Sequence, residues 1–153
     1  MADRVMLWPT HPACTRHEKI EVRFERRTAL KHSAKFLAIV DDAKTRIREV
    51  TVDDVKNDRE TGVDHVLVDT REDSEWNVAH AAGSIHLGKG IIERDIEGAI
   101  PDTGKKIVLY CGGGYRSALA ADTLQKMGYT NVFSLAGGWR AWNAAEMPVE
   151  KAA

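Results

Sequence analysis

The stretch Tyr110-Cys111-Gly112-Gly113-Gly114-Tyr115-Arg116-Ser117 decides how this chain reads. The apolar run Ile107-Val108-Leu109-Tyr110 delivers a cysteine to its end; three glycines and an arginine follow, and a helical pattern runs from Ser117 to Met127. That order predicts strand, tight loop and helix, with Cys111 at the carboxyl end of the strand. Glycines adopt positive φ without steric cost, so consecutive N–H groups can turn inward and form a concave anion nest. The helix that begins near Arg116 aims its positive end at the same point, and Arg116 adds a full charge on a planar fork of donors. All three favour the thiolate, whose pKa falls from about 8.5 at such sites. A lone cysteine after a strand reads as a buried core thiol. The glycines, the arginine and the helix start beside it point instead to an activated one.

The chain around this loop has 153 residues, enough for one domain with a real core. A hydrophobic content of 43% and a charged content of 29% are those of a soluble globular protein. The net charge of −1 hides an uneven spread: residues 1–48 carry a net +5 and residues 49–153 a net −6. The basic part is therefore an amino-terminal extension, residues 1–46, and the cysteine loop sits in an acidic domain spanning residues 47–150. With only Cys14 and Cys111, no disulfide framework is expected. Met1 to Thr10 is mixed in character with no apolar h-region, and no apolar run approaches the length of a membrane span. These features predict a cytoplasmic protein without a membrane partner.

In the extension, Pro9 and Pro12 break regular structure, and His11, Cys14 and His17 space three ligand types at intervals of three. A closed structural zinc site needs four ligands, so no metal is expected there. Cys14 reads as an incidental tail thiol rather than a resolving one. Ile20 to Arg26 alternates apolar and charged residues and allows a short strand that pairs with a sheet edge or another subunit. The extension is thus a candidate homodimer surface. Residues 29–47 predict an amphipathic helix with Leu30, Phe36, Leu37, Val40, Ala43 and Ile47 near one face. Its basic side lacks the lysine and arginine density of a nucleic-acid or membrane-surface helix, so no nucleic-acid partner is expected.

Thr51-Val52-Asp53-Asp54 has the form of a capping box for a helix that ends near Arg59 and is closed by Gly62. Short apolar runs predict strands at 65–69, 83–87, 107–110 and 132–135, with helices or helical turns between them near 70–76, 91–96 and 117–127. Gly137-Gly138 opens a last helix, and Pro148 marks the expected end of order. Strands alternating with helices imply right-handed crossovers and a parallel sheet covered on both faces. Sites in such sheets lie outside the carboxyl ends of strands, where both Asp69 and Cys111 fall. Trp76 and Trp142 read as core anchors, and His80 and His86 as hydrogen-bonded loop histidines rather than general acids.

Taken together, the blocks Val66-Leu67-Val68-Asp69-Thr70-Arg71-Glu72, Glu75-Trp76, His80 before Gly83-Ser84-Ile85, Tyr110 through Ala120, Gly128-Tyr129 and Leu135-Ala136-Gly137-Gly138-Trp139 resemble, in order, a single-domain rhodanese of the sulfurtransferase family. The resemblance covers about residues 47–150 and leaves the extension outside. It implies an α/β fold with a five-stranded parallel sheet and helices on both faces. It implies that Cys111 is the sulfur-accepting nucleophile, and that Gly112, Gly113, Gly114, Tyr115 and Arg116, with Ser117 behind them, surround the sulfur with main-chain N–H groups. Asp69 and Arg71 match rim positions that orient the loop or meet substrate, and Trp139 matches a pocket-lining aromatic. Asp69 reads further as a structural carboxylate that accepts loop N–H bonds, while Arg71 either binds substrate or pairs with an acidic neighbour. Two departures stand out: Ala81-Ala82 follow His80 where the family frequently has Ile-Pro, and the loop carries no basic side chain except Arg116.

The chemistry this implies is ping-pong transfer of sulfane sulfur from thiosulfate or a similar small donor to cyanide, a small thiol or a protein acceptor, with no cofactor and no metal. Two rivals remain in the residues themselves. Cysteine phosphatases and arsenate reductases also cradle an oxyanion between strand and helix, but they place five residues between cysteine and arginine where this chain has four. A non-turnover module that carries a persulfide or binds a protein is the alternative from another class.

Overall fold

A computed structural model describes residues 32–151. Five parallel strands form the central sheet: β1 (Arg48–Val50), β2 (Val66–Asp69), β4 (Ile85–His86), β5 (Ile107–Tyr110) and β6 (Val132–Leu135), in the order β1-β6-β5-β2-β4. Strand β5 lies at the centre and all four of its residues are buried. That explains its uninterrupted apolar sequence, since a parallel strand covered on both faces has no polar side.

The alternation along β5 sends Ile107 and Leu109 to one face of the sheet and Val108 and Tyr110 to the other. On the first face they join Ile92 and Ile96 of α4 (Ile92–Ala99) and Ala120, Ala121 and Leu124 of α5 (Tyr115–Lys126). On the second they join Val52 and Val55 of α2 (Val52–Thr61) and Trp142 of α6 (Gly138–Ala144). Helix α1 (Ala34–Lys44) packs on α5 through buried Val40 and Ala43, and Arg46 just beyond it pairs with Asp122 of α5 at 2.9 Å. Helix α1 and the sheet belong to one compact unit.

Several local expectations hold in detail. Thr51 and Asp54 form the reciprocal capping box of α2, and Gly62 ends that helix at φ +73°, where a side chain would be strained. Helix α3 (Asp73–Trp76) is the short turn after β2. Other boundaries differ. Within the described part of the amphipathic pattern at 29–47, the helix runs from Ala34 to Lys44, because the Ser33 hydroxyl caps it at one end and the chain turns into β1 at the other. Strand β1 gave no pattern: Arg48-Glu49-Val50 is short, edge-placed and mostly exposed. The expected strand at Ile20–Arg26, the His11, Cys14 and His17 group and the homodimer surface lie outside the described residues. Order does not end at Pro148, since β7 (Val149–Glu150) pairs antiparallel with β3 (His80–Ala81). Trp76 is only half-buried; its ring stacks between His80, centroids 3.4 Å apart, and His86, 4.9 Å apart.

Trp142 is fully buried, and its indole N–H donates to the Pro148 carbonyl at 2.9 Å, just before β7, which pairs with β3 in a separate two-stranded sheet. Replacing Trp142 with Ala should lower stability by about 3–5 kcal/mol, the usual cost of deleting a buried large aromatic. A urea titration measures it: the midpoint should fall with the slope unchanged.

Candidate active site

Cys111 follows β5 directly and is 1% exposed. Gly114 lies at φ +93° and starts α5, so the chain reverses tightly around the sulfur. The Gly114 N–H donates to Cys111 Sγ at 3.2 Å and the Ser117 hydroxyl at 3.6 Å. Burial pushes the thiol up, but the backbone N–H and hydroxyl of Ser117 and the N–H groups of Gly113 and Gly114 outweigh it and hold Cys111 below the ordinary thiol value. Ser134 of β6, fully buried, lies 2.8 Å from the Ser117 hydroxyl. If Ser134 donates to Ser117, the Ser117 proton is left for the sulfur.

The loop carbonyls point the other way. Cys111 O accepts the Trp139 N–H at 2.6 Å and Gly112 O accepts the Arg140 N–H at 3.1 Å, both from the first turn of α6. This docking leaves no room at Gly138, where an added Cβ would come within 3.0 Å of both the Cys111 carbonyl carbon and the Gly114 nitrogen.

Arg116 keeps its charge beside the loop, where it acts on Cys111, but it is held there by acidic partners. Its guanidinium grips Glu75 of α3 at 2.8 and 3.2 Å and lies 3.5 Å from Glu72. The Glu75 hydrogen bonds raise Arg116 above its ordinary value, and burial opposes them. Burial pushes Glu75 up, but the bond from Arg116 prevails and keeps the carboxyl below the usual range. The thiolate is therefore favoured chiefly by Ser117 and loop N–H groups, while Arg116 ties the loop to α3 and adds its charge nearby. Tyr115 contributes backbone to the loop; its ring turns to α1 and meets His32 at 4.4 Å between centroids.

Asp69 and Arg71 form a separate buried unit at the adjoining strand end. Asp69 is 0% and Arg71 3% exposed. The carboxylate accepts Arg71 Nε at 3.0 Å and Nη2 at 2.7 Å, the Arg71 backbone N–H at 2.9 Å and the Tyr110 hydroxyl at 2.6 Å. The main-chain N–H it accepts comes from Arg71 in the loop after β2. Of the two roles left open for Arg71, the acidic pairing is the one observed. Trp139 lies over Arg71, with the guanidinium carbon 4.3 Å from its ring centroid. His80 donates Nδ1 to the Trp76 carbonyl and His86 donates Nε2 to the Arg71 carbonyl, so both are hydrogen-bonded as expected, though they lie in β3 and β4 rather than in loops.

Sequence reasoning assigned no role to Tyr110, Glu75, Ser134 or Arg140. Ser134 carried a signal, a polar residue inside the apolar run Val132 to Leu135. Glu75 carried none, because its pairing with Arg116 spans 41 residues. Among the described residues no cluster of histidine, cysteine or acidic groups is arranged to hold a metal, and no helix is long and apolar enough to cross a membrane.

The rhodanese-like domain model matches residues 51–145. A thiosulfate sulfurtransferase GlpE from Haemophilus influenzae is 33% identical over 87 residues, which are 57% of this chain and 81% of that one. Among solved structures, a protein of unknown function from Rhodopseudomonas palustris, described as a possible tyrosine phosphatase, is 32% identical with a TM-score of 0.65 over 82% of this chain and 99% of that one. The polysulfide-sulfur transferase homodimer from Wolinella succinogenes is 25% identical with a TM-score of 0.66 over 77% of this chain and 88% of its own.

Two substitutions test this geometry. Ser117→Ala removes a donor to the sulfur, so the Cys111 pKa should rise and the thiolate fraction at pH 7 should fall. The pH profile of Cys111 alkylation, followed by mass spectrometry, should shift to higher pH. Asp69→Asn leaves Arg71 buried without a counter-charge and should cost about 3–5 kcal/mol in chemical denaturation.

Proposed function

The chain belongs to the rhodanese-like domain family, and on that premise we propose that it moves sulfane sulfur from thiosulfate or a similar donor to a thiophilic acceptor through a persulfide on Cys111. The catalytic unit is residues 47–150, with residues 1–46 as an extension. The Cys111 thiolate attacks the outer sulfur of the donor. A bond forms between the two sulfurs as the donor's own sulfur–sulfur bond breaks, and the electron pair leaves with sulfite. A second thiophile, cyanide or a thiol, then takes the outer sulfur and returns Cys111 as thiolate. Gly112 to Arg116 form the cradle, Ser117 supports it, and Asp69, Arg71 and Trp139 brace the rim.

The observation that carries this reading is the set of donors on one buried sulfur: N–H groups of Gly113, Gly114 and Ser117 with the Ser117 hydroxyl. They would stabilise the persulfide anion as they favour the thiolate. A phosphatase reading fits less well. Only four residues separate Cys111 from Arg116, and the guanidinium that would clamp a phosphate is engaged by Glu75 and Glu72.

Intact-mass spectrometry after thiosulfate treatment should show a gain of one sulfur atom on Cys111, discharged by cyanide with release of thiocyanate. Cys111→Ser should take up none, and thiocyanate formation should fall roughly 10³-fold or more, as for other covalent nucleophiles. Retained transfer in that variant would defeat the assignment. A persulfide that forms but discharges only onto another protein would mark a carrier instead.

A further inference from the structure

We propose that Arg140 receives the anionic end of the sulfur donor and thereby sets a preference for donors with a negatively charged leaving group. This rests on the sulfur-transfer reading above.

Three guanidinium groups surround the cysteine loop, and their partners separate them. Arg71 is held by buried Asp69. Arg116 is held by Glu75 and Glu72. Arg140 is exposed, and among the described residues no carboxylate lies within ion-pair distance of it. Its Nη1 lies 3.8 Å from the position a Cβ would occupy on Gly113, the residue whose N–H contributes to the Cys111 cradle. Its backbone is fixed to the loop as well, through the bond from its N–H to the Gly112 carbonyl at 3.1 Å. The side chain therefore starts from an anchored point and reaches the loop where glycine leaves space. The Tyr115 ring also borders that space, 3.2 Å from the same Cβ position.

The surroundings make this one charge matter. Glu72, Asp73 and Glu75 lie along α3 beside the loop, and residues 49–153 are net acidic. Against these acids, Arg140 is a guanidinium beside the loop that no carboxylate neutralises among the described residues, so it attracts a dianionic donor. The oxygens of thiosulfate carry negative charge in the bound donor as well as in the departing sulfite, and a guanidinium fork matches such oxygens with paired donors. The group is exposed, so its pull is screened as salt rises.

The test separates binding from chemistry. In a Cys111→Ser background thiosulfate can bind but not react, and NMR follows the amide shifts of Gly112, Gly113 and Gly114 during a titration. Adding Arg140→Ala should raise Kd about tenfold, Arg140→Lys should restore part of the loss, and Arg94→Ala, an exposed arginine paired with Asp95, should change nothing. In the intact protein Arg140→Ala should raise KM for thiosulfate with kcat little changed, and added salt should narrow the gap. A Kd within twofold of the parent, or no thiosulfate-dependent shift in the loop, overturns the proposal. Arg140-dependent binding in a protein that transfers no sulfur would leave Arg140 in place and overturn the sulfur-transfer reading instead.

Discussion

The docking of helix α6 against the back of the Cys111 loop is the constraint on which the site depends. A peptide plane that gives its carbonyl to one side presents its N–H to the other. The N–H groups of Trp139 and Arg140 take the carbonyls of Cys111 and Gly112, so N–H groups further along the loop are free to converge on the sulfur. Contact of backbone with backbone at this range admits no side chain, hence Gly138 at φ +51° on one side and Gly114 at φ +93° on the other. The glycine pair before Trp139 is thus as much a part of the cysteine site as the glycines after Cys111.

Charge in the site is handled by pairing rather than accumulation. A guanidinium beside an anionic sulfur would stabilise it, yet both half-buried and buried arginines are matched with carboxylates. The reason is desolvation: an unpaired charge off bulk water is costly, and a partner with good geometry offsets that cost. Asp69, Arg71, Tyr110 and Trp139 make one such unit, and Arg116 with Glu75 makes another. The hydrogen bonds to the sulfur come from neutral donors, Ser117 and the loop N–H groups.

Much of this was legible along the chain. The apolar run into Cys111, the three glycines and the helical pattern from Ser117 marked strand, loop and helix, though the helix begins two residues earlier, at Tyr115. The capping box at Thr51 and the stop at Gly62 were readable because caps are local hydrogen-bond chemistry. Strand β1 was not readable, because Arg48-Glu49-Val50 is an exposed edge whose strand character comes from pairing with β6. Strand β7 was hidden for the same reason, behind a proline that ends helices but does not prevent an antiparallel edge pair.

The sequence by itself determined the fold class, the position of the cysteine at a strand end and the glycine content that a tight anion cradle requires. These depend on periodicity and on backbone freedom, which are properties of neighbouring residues. The tertiary structure alone decided where each charge goes. It bound Arg116 to Glu75, set Asp69 on Arg71 and Tyr110, placed Ser134 behind Ser117 and left Arg140 beside Gly113 with no carboxylate within ion-pair distance among the described residues. Side-chain pairing is set by distance in space, and 41 residues separate Arg116 from Glu75, so only packing could choose among the acids available.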